Sequence, residues 1–78
     1  MMKNIKYQLI NNSFVSLKVF DVLGQEIATL VSEKLQPGTY EVNFDGSKFS
    51  SGVYYYKLKV MLGGVEEYTQ TKKMILIK

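Results

Sequence analysis

Tyr54-Tyr55-Tyr56-Lys57-Leu58-Lys59-Val60-Met61-Leu62-Gly63-Gly64 is the stretch from which the fold is read. Tyr54, Tyr56, Leu58 and Val60 alternate with Tyr55, Lys57 and Lys59, and a period of two sends the two sets to opposite faces of a strand. Three consecutive tyrosines cannot share a face, so Tyr54 and Tyr56 are assigned to the core or its rim and Tyr55 to the other side. The run closes on Leu62-Gly63-Gly64, a hairpin turn with no following helix to make a phosphate cradle.

The same period recurs on both sides of this stretch. Ile5, Tyr7 and Leu9 alternate with Lys6 and Gln8, Val15, Leu17 and Val19 with Ser16 and Lys18, and Tyr40, Val42 and Phe44 with Glu41 and Asn43. A last run spans Tyr68 to Ile77. Between Glu26 and Val31 the apolar residues Ile27, Ala28, Leu30 and Val31 fit neither period, and this segment is expected to be a short edge strand. Turn chemistry separates the runs at Asn11-Asn12-Ser13, Leu23-Gly24, Gln36-Pro37-Gly38, Asp45-Gly46-Ser47 and Ser50-Ser51-Gly52. No stretch carries sustained helical spacing with a cap. Six short strands at this spacing predict an all-β sandwich or small barrel, in one domain, without internal repeat or linker.

Composition narrows the function. A chain of 78 residues holds one small domain, and such a domain buries only roughly 60% of the surface its unfolded form exposes. There is no cysteine and no histidine, which removes disulfides, His/Cys metal sites, thiol nucleophiles and every Ser-His-Asp arrangement. All ten basic residues are lysine, against seven carboxylates, for a formal charge of +3. Neither half of the chain is a polybasic arm. Without arginine's bidentate fork, base readout is poorly served. With 46% apolar and 22% charged residues the chain is expected to fold. No apolar run is long enough for a membrane helix or a signal peptide.

Chemistry-bearing constellations are few. Glu66 and Glu67 are adjacent on a strand and point to opposite faces, a poor acid/base dyad and a natural solvated hairpin start. Asp45-Gly46-Ser47 has oxygen ligands but lacks the repeated acidic positions of a calcium loop, so it reads as an Asx-type turn. Tyr54 to Lys59 has the makings of a stacking platform with phosphate-facing lysines, a reading opposed by the alternation of its tyrosines. The expectation is a protein without catalytic residues, metal or cofactor. The terminal segment Lys72-Lys73-Met74-Ile75-Leu76-Ile77-Lys78 stands apart, because an apolar strand bracketed by lysines ends flush with the sequence. It is either a well-docked last strand or a recognition signal.

Five blocks, in order, carry a resemblance: Val15 to Leu30 (VSLKVFDVLGQEIATL), Pro37-Gly38-Thr39-Tyr40, Phe44-Asp45-Gly46-Ser47, Ser51 to Leu58 (SGVYYYKL) and Lys72 to Lys78 (KKMILIK). Together they resemble the type A C-terminal sorting domain of type IX (Por) secretion cargo, over nearly the whole chain. The resemblance implies a small immunoglobulin-like antiparallel β-sandwich of six or seven strands that serves as an address on exported proteins of Bacteroidetes-type bacteria. It implies that a cargo crosses the inner membrane on its own signal peptide, transits the periplasm and is passed by the outer-membrane translocon to the cell surface or medium. A sortase-like peptidase then removes the domain. On that analogy translocon recognition falls to Gly52, Val53, Tyr54 and Tyr56 and to Lys72, Lys73, Met74, Ile75, Leu76, Ile77 and Lys78, while Gly24, Pro37, Gly38 and Tyr40 serve the fold.

The chain departs from the family pattern before Ile5, where an Asn-Pro-rich segment, a first strand and the upstream cleavage site are expected and not found. It therefore reads as a sorting domain over residues 1–78 lacking its first strand and upstream cargo, either excised or encoded apart. A missing strand leaves a sheet edge unpaired, and pairing between copies into an edge-strand homodimer is expected from it. Capture of the terminal strand is expected by strand addition or in an acidic groove, with Lys72, Lys73 and Lys78 supplying charge and Met74 to Ile77 entering alternate pockets. An adhesive or carbohydrate-binding sandwich is the second reading, marked by an exposed aromatic pair on one sheet face. Nucleic-acid binding is not expected.

Overall fold

A computed structural model describes residues 2–77. All six runs are strands: β1 (Met2–Leu9), β2 (Ser13–Phe20), β3 (Glu26–Leu35), β4 (Gly38–Asp45), β5 (Gly52–Leu62) and β6 (Val65–Leu76), with one 3₁₀ turn at Gly46–Lys48. They form a four-stranded sheet in the order β3-β2-β5-β6 and a two-stranded sheet of β1 and β4, every pairing antiparallel. The architecture is a sandwich, since two sheets face each other across one core instead of closing into a barrel.

The alternation read from the sequence sets the core. Ile5, Tyr7 and Leu9 of β1 meet Val15 and Leu17 of β2 and Leu58 and Val60 of β5, with Tyr40 and Val42 of β4 and Leu30, Val31 and Leu35 of β3 packed around them. A second cluster at the other end gathers Val19, Phe44, Tyr54, Met74 and Leu76. Val15, Leu17, Val19 and Leu76 are fully buried. Burying such side chains stabilises by about 1.5–3 kcal/mol each, which is the main force available to a chain without staples.

Segment β3 is an edge strand as expected, but it is longer than the sequence suggests. Its register against β2 slips twice, between Leu17 and Lys18 and between Val19 and Phe20. Each β-bulge inserts one residue and reverses the facing of the residues beyond it. Ile27, Ala28, Leu30 and Val31 all lean against the core for this reason, which is why no single period described them.

Turns form at the residues that mark them. Gly63 and Gly64 have φ of +58° and +80°, as the two-residue turn joining β5 and β6 requires. Asp21 accepts hydrogen bonds on Oδ1 from the amides of Leu23 and Gln25, both at 2.9 Å, and so shapes the β2–β3 connection. The Asx reading of Asp45 holds as well, since its carboxylate accepts from the Ser47 amide at 3.0 Å and caps the 3₁₀ turn.

Candidate recognition surface

The strand block Gly52 to Tyr56 and the terminal block lie side by side. In the β5–β6 register Gly52 opposes Leu76, Val53 opposes Ile75, Tyr54 opposes Met74, Tyr55 opposes Lys73 and Tyr56 opposes Lys72. The two blocks assigned to recognition by the resemblance are thus one two-stranded surface. Facing divides it. Tyr54, Met74 and Leu76 turn into the core, and Val53, Tyr55, Lys73 and Ile75 turn to the outer face of the large sheet. Tyr56 is half-buried on the inner side, and Lys72 and Ile77 are exposed. Lys78 lies outside the described residues.

This division separates anchors from contacts. Leu76 packs under Gly46, where an added Cβ would meet its Cδ atoms at 2.9 Å. The glycine of the Asp45-Gly46-Ser47 block is required by this close approach, and it ties the terminal strand to the β4–β5 connection. Phe49 fills the same corner, with ring centroids 5.7 Å from Phe44 and 6.3 Å from Tyr54. With Met74 and Leu76 held in the core, the side chains of the terminal block open to a partner are Lys72, Lys73, Ile75 and Ile77.

Both Gly-x-Tyr sequences make the same device, which the sequence reading did not find. The Tyr54 hydroxyl donates to the Ser50 carbonyl at 2.7 Å, and the Tyr40 hydroxyl donates to the Gln36 carbonyl. Each bond reaches back four residues to lock the entry of a strand, in the manner of the tyrosine corner of β-sandwiches. The signal available was the repeat itself, Gly38-Thr39-Tyr40 and Gly52-Val53-Tyr54 after a turn.

The small sheet leaves part of the large one uncovered. Beside β1 lies a cleft of about 410 Å³ lined by Tyr7, Leu9, Leu58, Val60 and Tyr68. Burial pushes the Tyr7 phenol up, with Tyr40 and Glu33 adding to the shift, so Tyr7 is neutral in the fold. Glu67, at the bulge opposite Val60 and Met61, opens onto this cleft, whereas Glu66 is on the outer face 3.8 Å from Lys59. The two carboxylates do not converge, and among the described residues no group of three or more His, Cys, Asp or Glu side chains is placed to hold a metal. No helix among them is long and apolar enough to cross a membrane.

The chain is a two-sheet antiparallel sandwich whose terminal block lies on the edge strand β6, with Met74 and Leu76 in the core and Lys72, Lys73, Ile75 and Ile77 exposed. Residues 2–78 match the family described as Secretion system C-terminal sorting domain, and the chain belongs to that family. It is a type IX secretion sorting signal, a role that implies export via the outer membrane to the cell surface or medium and interaction with the secretion machinery. No curated protein and no solved structure matches the chain.

Proposed function

We propose that the domain is a non-catalytic address read by the outer-membrane translocon at β6 and its β5 neighbour, after transit through the periplasm, and is then removed by a sortase-like peptidase. The observation that carries this reading is the placement of the terminal block on an edge strand. One side of β6 is paired with β5 and, among the described residues, no strand pairs with the other, so its backbone is available for strand addition. Lys72 and Ile77 flank the anchored Met74 and Leu76, and Lys73 and Ile75 project beside Tyr55 and Val53. Gly52, Tyr54 and Tyr56 act in this scheme by holding β5 in register under β6.

The test is export of a signal-peptide-bearing fluorescent protein fused to the domain, in a bacterium with the type IX system and in a translocon-deficient strain. Deleting residues 74–78 is expected to abolish surface and medium fluorescence. Because that deletion also removes the core residue Leu76, a second variant, Lys72→Ala with Ile77→Ser, leaves both anchors in place and is expected to lower export with an unchanged melting temperature. Full export of the folded second variant places the address elsewhere.

The sandwich has one feature of a glycan-binding module, since Phe20 and Tyr55 are paired neighbours on the outer face. Both are half-buried. Binding to a glycan array that is lost in Tyr55→Ala would favour that second reading.

A further inference from the structure

The outer face of the four-stranded sheet collects the charge of the whole protein. Registers place Lys34 of β3, Lys18 of β2, Lys57 and Lys59 of β5 and Lys73 of β6 on this face, with Glu26 and Glu66 as its carboxylates. That is +3, the formal charge of the entire chain. The other five lysines and five carboxylates cancel. Lys18 and Lys57 are direct cross-strand partners, an arrangement that destabilises a sheet by setting like charges opposite each other. Lys18 is bridged to Glu26 at 3.2 Å and Lys59 to Glu66 at 3.8 Å. Among the described residues no such ion pair engages Lys34, Lys57 or Lys73.

Lys18, Lys57 and Lys59 hold the middle of the face, while Lys34 shares its row with Phe14 and Met61 and Lys73 shares its row with Phe20 and Tyr55. Phe14 opposes Met61 at one end, and Phe20, Tyr55, Val53 and Ile75 stand together at the other. Opposed lysines are unfavourable to the fold, and a partner bearing carboxylates would offset that repulsion. We propose that this face docks on a carboxylate-rich protein surface of the secretion machinery, a reading that rests on the sorting function and adds the face and the sign of its partner.

The sorting role favours an acidic protein over a phosphate-bearing membrane, since it implies contact with the secretion machinery, and a face of this sign is complemented by carboxylates. The face, four strands about 4.8 Å apart and roughly 27 Å long, is at the lower end of protein interfaces, as suits a transient partner guided by charge.

The experiment compares the fusion carrying Lys57→Gln and Lys59→Gln with one carrying Lys6→Gln and Lys48→Gln, which loses the same charge elsewhere. Removing Lys57 and Lys59 is expected to slow export roughly tenfold, as the loss of charge steering does, with a melting temperature equal to or above that of the parent. The Lys6/Lys48 control is expected to export normally, and Lys57→Arg with Lys59→Arg to restore export. Normal export by a folded Lys57/Lys59 variant overturns the proposal while the sorting reading stands. Equal slowing of the control reduces the effect to net charge and also overturns it. Co-sedimentation of the parent, but not the Lys57/Lys59 variant, with vesicles of anionic phospholipid would assign the face to a membrane. Failure of the unaltered fusion to be exported removes the sorting reading and this inference together.

Discussion

Leu76 shows how one residue joins stability to address. It is fully buried, it contacts the position where Gly46 lacks a side chain, and it belongs to the terminal block. Leu76→Ala leaves a cavity in a corner also built from Phe44, Phe49 and Tyr54, and is expected to cost about 2–5 kcal/mol. Urea unfolding followed by circular dichroism measures this. A loss under about 1 kcal/mol would mean that the terminal strand is docked more loosely than its burial indicates. Ile75, one residue earlier and 48% exposed, is expected to tolerate serine with little change in the midpoint. The terminal block is therefore two interleaved sets, one holding the strand and one shown to the outside.

At the scale of elements, two exposed carboxylates tie local structure to pH. The Lys18 ammonium and the Thr29 hydroxyl, both hydrogen-bonded to the Glu26 carboxylate, hold it below the usual carboxylate range across the β2–β3 pair. The Ser47 amide and hydroxyl do the same for Asp45 at the 3₁₀ turn. A carboxyl with a depressed value in the fold binds protons less readily than in the unfolded chain. Its contribution is therefore complete above the ordinary carboxylate range and lost as the pH falls through it. The melting temperature is expected to decline from about pH 5 to about pH 3, and to decline less in Glu26→Gln. A parallel slope in that variant would show that other carboxylates govern acid unfolding. The β3 strand carries the contrasting lesson, since its two bulges come from register against β2 and show in the sequence only as a broken period.

For the whole molecule, the unequal sheets decide what is accessible. Two strands over four leave the inner side of β6 uncovered at Tyr68 and Lys72 and leave open edges on β1, β3, β4 and β6. Open edges invite pairing between chains, and charged residues restrain it. Pairing between copies is expected as association that sets in at high micromolar concentration and weakens below it, followed by light scattering. A strict monomer throughout that range would show that the charges of β6 and β3 suffice to keep the edges apart.

The amino-acid sequence by itself determined the strands, the turns, the two alternating sets of each regular strand and the exclusion of His/Cys metal sites and thiol chemistry, because these stem from a period of two, from glycine and proline placement and from residue types. Five blocks in order also carried the family. Tertiary structure decided which residues of the two blocks oppose each other, since the Gly63-Gly64 turn pairs β5 with β6 but a bulge between Val60 and Met61 shifts the register beyond it. It decided that Met74 and Leu76 are anchors while Ile75 faces outward, because the apolar run Met74 to Ile77 has no period of its own and only the position of the small sheet says which side is the core. It also gathered five lysines distant in sequence onto one face, an arrangement made by strand order and invisible to any local pattern.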